Sequence, residues 1–281
     1  MEWVEKLNQS MDYIEENLTK ELDYEQLGRV ACCSSYHFQR MFTYMAGMTL
    51  SEYVRRRKMS LAAEDLLSGD EKIIDLALKY GYASPTAFTR AFESIHGASP
   101  TAVRSERLGV KTFPPIRFHI SVQGGQEMSY RIEDKTAFRI VGISAMLEQE
   151  LEKNFKCVPE LWQRAAMDGT VARLAGMMDT PVMGLLGVSA CGDAEQWKYF
   201  VAVASTRPAE GFEEYTVPAC TWAVFPGEGT NRSIQELEQR IITEWLPGSG
   251  YEYADAPDVE VYLNPDPENA KFEVWIPVVK K

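Results

Sequence analysis

The sequence predicts a multidomain chain: an all-α N-terminal domain with two helix-turn-helix units, then an α+β domain with a pseudo-twofold βαββ repeat. Three observations predict it. The phrase SSYHFQRMFTYMAG, from Ser34 to Gly47, returns as SPTAFTRAFESIHG from Ser84 to Gly97. Helical periodicity fills the chain to about residue 107, whereas strand-like alternation recurs after residue 128. Between them, FPPIRFHISVQGGQEM brackets a short alternating run with Pro-Pro and Gly-Gly, which marks a linker over 108–127. A length of 281 residues accommodates two domains of ordinary size, here 1–107 and 128–281.

Composition narrows the class. An apolar fraction of 45% with 25% charged residues is that of a globular chain. No apolar run is long enough to span a bilayer. The opening MEWVEKLNQSMDYIEENL carries acids early and lacks the apolar centre of a signal peptide, so a cytoplasmic protein is expected. The five cysteines form no C-x-x-C pair and are expected to be buried free thiols. His37, His96 and His119 lie far apart, so neither a metal nor another cofactor is expected. The net charge of −12 argues against nucleic acid as a partner until it is read locally. From Arg29 to Lys58 the bases Arg29, Arg40, Arg55, Arg56, Arg57 and Lys58 face one acid, Glu52. Fields decay within about 8 Å at physiological salt, so such a stretch keeps its own sign.

The first helix-turn-helix spans about 23–46. Asp23 is placed to cap a helix with Gln26 three residues on, and Leu27, Val30 and Ala31 give that helix an apolar side. CCSS interrupts it. Ser34 then caps a second helix whose Phe38, Met41, Phe42 and Met45 recur at helical spacing. Its other face carries Ser35, Tyr36, Gln39, Arg40 and Thr43, and Gly47 ends it. The second unit, about 72–96, follows the same plan. Ile73, Ile74, Ala77 and Leu78 supply the first apolar side, and Gly81 makes the turn. Ser84 caps with Pro85 at the first helical position. Phe88, Ala91, Phe92 and Ile95 turn inward, leaving Thr86, Thr89 and Arg90 outside. Ser99-Pro100 starts a short last helix. Between the units, Thr49 and Glu52 form a capping box for a helix over about 50–67. At 1.5 Å per residue it is roughly 27 Å long. That would hold the two outward faces about one DNA turn, near 34 Å, apart. A major groove admits one helix, and arginine pairs with guanine as glutamine does with adenine. One chain written this way reads two successive major grooves of double-stranded DNA.

At this point HFQRMFTYMAGMTLSEYVRRRKMSLAAEDLL, with IIDLALKYGYASPTAFTRAFESIHGASPTAVR, resembles the DNA-binding domain of the AraC/XylS family over roughly residues 8–106. The resemblance implies a transcription regulator rather than an enzyme, with RNA polymerase as a further partner. Carried over by position, it implies base contacts from Tyr36, Gln39 and Arg40 on the first reading helix and from Thr86, Thr89 and Arg90 on the second. It also implies phosphate contacts from Ser35 and Lys58. Arg55, Arg56 and Arg57 point about 100° apart and cannot all face DNA.

The second half writes β-α-β-β twice. FRIVGISA, VMGLLGVSA and WKYFVAVAS are strands around the helix ELEKNFKCVPELWQRAA, which is expected to break near Pro159. ACTWAVFPGEG, VEVYLN and KFEVWIPVV are strands around the helix SIQELEQRIITEWL. In KFEVWIPVV, alternation sends Phe272, Val274 and Ile276 to one face and Glu273, Trp275 and Pro277 to the other. If the halves face each other, Tyr199 of WKYFVAVAS and Glu273 sit at equivalent places, with Trp162, Trp222, Trp245 and Tyr262 from neighbouring elements. One carboxylate among aromatic walls suits a lipophilic cation. The competing assignment is an edge glutamate in water with the tryptophans in the core. VPACTWAVFPGEG, EWLPGSGYEY, VEVYLNPD and FEVWIPV resemble the GyrI-like effector-binding domain, over roughly 128–281, and the order of domains resembles the Rob-like branch. That resemblance implies a lipophilic, cationic small-molecule effector and places Glu273 at the family's cleft acid. The alternatives are a small-molecule hydrolase with Glu273 as general base, or a drug-sequestering protein using the same pocket.

Overall fold

The computed structural model describes residues 2–119, 127–148, 150–191, 197–208, 211–264, 266 and 269–281. The chain divides into two compact units, Met1–Ser121 and Val122–Lys281.

The first unit is helical: α1 (Glu2–Glu16), α2 (Tyr24–Ala31), α3 (Ser35–Ala46), α4 (Leu50–Ser68), α5 (Ile73–Lys79), α6 (Pro85–His96) and α7 (Pro100–Glu106). The capping residues act as their sequence positions indicate. Asp23 accepts from the Gln26 amide at 2.9 Å, Ser34 from His37 at 3.1 Å, Ser84 from Ala87 at 3.2 Å and Ser99 from Ala102 at 3.1 Å. Each serine or aspartate satisfies an amide that the first helical turn leaves without a backbone partner. Gly47 and Gly97 close α3 and α6 at φ 65° and 80°, where a side chain would be strained.

The core of this unit differs from the expected stripes in three places. In α1, Leu7, Met11 and Ile14, and Leu18 just after its end, are buried at intervals of three to four residues, an element the phrase-based reading did not include. In α5, Ile74 and Leu78 are exposed; Ala77 packs inward as expected, but with Leu76 and the following Tyr80. Seven residues make only two turns, so a shift of one position moves the inward face by about 100°. At the start of α4, Thr49 does accept from the Glu52 amide, but the Glu52 carboxylate pairs with Arg55 and Arg56 rather than closing the box.

Arg57 turns the opposite way, into the unit. Its Nη2 lies 2.7 Å from Glu15 Oε2, and its Nη1 donates to the Phe113 carbonyl at 2.5 Å. Tyr53 donates to the same Glu15 carboxylate at 2.6 Å. His96 is also buried. Its Nδ1 accepts the Lys111 amide at 3.2 Å and its Nε2 lies 3.1 Å from the Met59 carbonyl, which selects the neutral ring with hydrogen on Nε2. Burial holds its pKa below the ordinary 6.5. A base whose folded pKa is depressed lends stability that is complete above its unfolded pKa and is lost as pH falls below it. The melting temperature is therefore expected to drop between about pH 7.5 and about pH 5.5, and His96→Gln is expected to blunt that drop. Equal slopes for the two proteins would remove His96 as the cause.

Among the described residues, the second unit is one nine-stranded antiparallel sheet with helices on one face. Its elements are β1 (Arg131–Lys135), β2 (Phe138–Met146), α8 (Leu151–Met167), α9 (Thr170–Ala175), β3 (Leu185–Cys191), β4 (Trp197–Ala204), β5 (Glu213–Val217), β6 (Cys220–Gly229), α10 (Asn231–Arg240), β7 (Tyr251–Tyr253), β8 (Asp258–Tyr262) and β9 (Ala270–Lys280). The strand order is β1-β6-β9-β8-β3-β4-β2-β5, with β7 beside β9. The stretches β2-α8-β3-β4 and β6-α10-β8-β9 each fill half of the sheet, and β3 and β8 meet at its centre. The expected break at Pro159 is absent. α8 runs through it, because Pro159 lies on the exposed side. There the lost amide bond and the ring meet water rather than packed neighbours. α10 continues through a π-helical turn, Ile241–Trp245, into Leu246–Gly248.

The two faces of the sheet are both apolar but differently covered. One carries Phe225, Phe272, Val274 and Ile276 under Ile234 and Ile241. The other gathers Ile140, Val188, Phe200, Ala202, Trp222 and Trp275. On that second face Phe138 of β2 reaches Trp275 of β9, ring centroids 6.3 Å apart, although β4, β3 and β8 lie between them in the sheet. A sheet curled this far fills its concave side with its own side chains. Among the described residues the free cysteines are not buried as expected: Cys32 is exposed, and Cys33, Cys157 and Cys220 are half-buried. Cys32 occupies the left-handed turn that ends α2, which places its side chain in solvent. Among the described residues no helix is long and apolar enough to cross a membrane.

Candidate DNA-reading face and ligand groove

The reading residues are built onto α3 and α6 by their serine caps. On α6, Thr86 and Arg90 are exposed and Thr89 is half-buried. The face of α3 is less open. Gln39 is only 3% exposed, and Tyr36 and Arg40 are half-buried. The Arg40 guanidinium lies 5.9 Å from the Tyr36 ring centre and 6.0 Å from that of Tyr44. Such stacking pre-orders the guanidinium plane. The two residues expected to touch phosphate are engaged inside the fold. The Ser35 hydroxyl donates to Glu25 at 2.9 Å. Lys58 donates to the Tyr80 carbonyl at 3.3 Å, and burial lowers its pKa. Its ammonium caps the carbonyl end of α5, where positive charge is favoured.

In the second unit the expected ligand residues fall on opposite sides of the sheet. Cross-strand register decides this, because directly paired residues share a face. Glu273 pairs with Pro226 and Val261, and Trp275 with Val224 and Val259. All of these belong to the concave side. There Glu273 is held by Arg131 at 2.8 Å and by the Trp275 indole at 2.8 Å, and Arg131 also pairs with Glu133. Trp222 is a core residue beside Trp275, with ring centroids 5.9 Å apart. Tyr199, Trp162 and Tyr262 are on the helix-bearing side. Trp245 is on that side as well, but it packs with Tyr130, Phe225 and Tyr251. Tyr199 and Glu273, expected at equivalent places lining one cleft, thus lie on opposite faces with the sheet between them.

The acid that meets Tyr199 is Glu260, on the central strand β8. Its Oε2 accepts from the Tyr199 hydroxyl at 2.9 Å and from the Tyr262 hydroxyl at 2.9 Å. The Trp162 indole donates to Tyr199 Oη at 3.0 Å, and its ring lies edge-on to Tyr262 at 5.0 Å. Burial and the Glu260 charge push both tyrosine pKa values well above the ordinary 10.0, so each hydroxyl keeps its proton and serves as donor. Donors aimed at a carboxylate favour its charged form. Opposite Glu260 stands Gly187. A β-carbon there would come within 2.2 Å of Tyr199 Oη and 2.7 Å of Glu260 Oε2, so the absence of a side chain makes the room that this cluster occupies. The result is a cluster in which the Glu260 carboxylate is surrounded by aromatic side chains from α8, β4 and β8, with the charge of the buried Glu238 also acting on Tyr262. Among the described residues no group of three or more potential ligands could hold a metal ion.

Glu260 was legible as a candidate. In VEVYLN, alternation puts Glu260 and Tyr262 on one face between valines. What alternation does not say is which face carries the helices.

Comparison with known proteins finds two matches in separate parts of the chain. The profile of the GyrI-like small molecule binding domain matches residues 128–279, and that of a helix-turn-helix domain matches residues 27–106. The chain is 34% identical over 105 residues to the uncharacterized HTH-type transcriptional regulator YbfP of Bacillus subtilis, which covers 37% of this chain and 36% of that relative. It therefore spans only about a third of YbfP's length. It is 34% identical over 103 residues to the HTH-type transcriptional activator AarP of Providencia stuartii, covering 37% of this chain and 76% of AarP. Among solved structures, SAV2435 bound to tetraphenylphosphonium aligns with 54% of this chain and 94% of its own, at 21% identity and a TM-score of 0.48. The chain belongs to the family of the GyrI-like small molecule binding domain, which it carries behind a helix-turn-helix domain of AraC type.

Proposed function

We propose that this chain is a DNA-binding transcription regulator whose GyrI-like groove takes a lipophilic cation as effector, with Glu260 as the counter-charge. The single observation that carries the effector class is the Glu260 carboxylate held by Tyr199 and Tyr262 beneath Trp162. An ion fixed by protein donors on an apolar floor has already met its desolvation cost, so a soft cation gains both charge pairing and ring contact. Glu273 is neutralised by Arg131 on the other side of the sheet and is structural in this reading.

On the DNA side, Tyr36 and Arg40 of α3 and Thr86, Thr89 and Arg90 of α6 are the proposed base-edge residues, whereas Gln39, expected among them, is buried at 3% exposure and is left to the interior. The repeated caps, which present two helices in the same way, support this. Ser35 and Lys58 act by holding α2 to α3 and α4 to the end of α5. Arg40→Ala and Arg90→Ala are each expected to weaken binding to a selected duplex by about 1–3 kcal/mol and to relax preference at a few base positions. Gel-shift titrations at fixed salt read both effects. Unchanged affinity and unchanged preference in both variants would overturn the assignment of these helices.

A further inference from the structure

Residues 111–118 were expected to be linker, yet they are bonded along their length to the helical unit. Four of their backbone amides are taken by side chains. The Lys111 amide goes to His96 at 3.2 Å, Phe113 to Ser60 at 2.8 Å, Ile116 to Tyr53 at 3.2 Å and Phe118 to Asn8 at 2.9 Å. Asn8 also donates back to the Phe118 carbonyl at 3.0 Å, and Arg57 donates to the Phe113 carbonyl at 2.5 Å. Pro114 and Pro115, between two of these anchors, have no amide to satisfy and stiffen the segment. The spacing suits the helix beneath. Three extended residues, Phe113 to Ile116, cover about 10 Å, and so do the seven helical steps from Tyr53 to Ser60. At its ends the segment touches both reading helices. His96 is the last residue of α6, and the Phe118 ring meets Phe42 of α3 edge-on at 6.0 Å. Arg117 adds an ion pair to Asp12 of α1 at 2.6 Å.

We propose that residues 111–118 are part of the DNA reader, a stiff strap that sets the separation and phase of α3 and α6 and so makes the protein selective for the spacing of its two half-sites. This rests on the DNA-binding reading above. α4 already packs on both units, through Met59, Ala62 and Leu66 against Leu76, Phe88 and Phe92 and through Tyr53 against Phe42. The strap, anchored on α6, α4, α1 and α3, is a second connection between them that resists rotation about α4. Residues Asn8, Tyr53 and Ser60 are then positioning residues and touch no DNA themselves.

The test uses the full chain and a duplex selected by it from a random library. Duplexes with two base pairs inserted between the half-sites rotate one site by about 70°. The wild-type chain is expected to lose about a hundredfold in affinity on such duplexes. The combined variant Asn8→Ala, Tyr53→Phe, Ser60→Ala is expected to lose less than about tenfold. A second variant with two glycines inserted after Pro115 shifts the anchors without removing a side chain and is expected to behave alike. Circular dichroism checks that both are folded, and a merely destabilised protein would scale all affinities equally while keeping the spacing penalty. An unchanged penalty in the folded variants overturns the strap. Failure of the wild-type chain to select any sequence overturns the DNA-binding reading itself and the strap with it.

Discussion

On the proposed effector reading, with tetraphenylphosphonium as a probe aryl cation, Glu260→Gln is expected to weaken binding by about a hundredfold, whereas Glu273→Gln is expected to leave it unchanged. The first substitution keeps the size and most hydrogen bonds of the side chain but removes the charge. Losing one partner of a desolvated charge pair costs about 2–5 kcal/mol, and about 3 kcal/mol corresponds to the stated factor. Tyr199 and Tyr262 remain to hold the amide, so a neutral ligand of similar rings, such as triphenylphosphine oxide, is expected to lose little. Glu273 already has Arg131 and the Trp275 indole as partners on the concave side, and its charge is not available to the groove. Calorimetry on both variants with both compounds decides the matter. A large loss confined to Glu273→Gln would return the site to the concave face.

Glu15→Ala is expected to destabilise the helical unit by about 3–5 kcal/mol. The reason is asymmetry. Arg57 is nearly enclosed, and without Glu15 its cation stays buried with the Phe113 carbonyl as hydrogen-bond acceptor and the charge of Glu64 near it. Tyr53 would lose the acceptor of its hydroxyl in the same step. For a domain of this size, each kcal/mol lowers the melting temperature by about 4–8 °C, so a shift well above 10 °C is expected. Pairing Glu15→Leu with Arg57→Met removes both charges and is expected to recover most of the loss, since apolar replacements of buried ion pairs are often neutral. If the double variant melts as low as the single one, the pair contributes more than charge compensation.

Much of the reader was present in local sequence. Ser34 and Ser84 announce helix starts, Gly47 and Gly97 their ends, and Phe38, Phe42, Phe88 and Phe92 their inward faces, because capping and helical period act over three to seven residues. The strands of the second half were visible by the same logic, since alternation is a property of neighbours two apart. It correctly separated Phe272, Val274 and Ile276 from Glu273 and Trp275.

The site was decided elsewhere. The sequence by itself determined that two helix-turn-helix units precede an alternating α+β half, and which side chains of each strand travel together. Only the tertiary structure decided that Tyr199 meets Glu260 rather than Glu273, and that Lys111 to Phe118 straps the helices instead of trailing from them. Period fixes the relative facing of residues within one element. It carries no information on which face the helices cover, how far a sheet curls, or which distant amide a Ser60 or Asn8 side chain will satisfy. Those depend on contacts between residues from 15 to 110 positions apart, such as His96 with Lys111 and Asn8 with Phe118, which the chain makes only when folded.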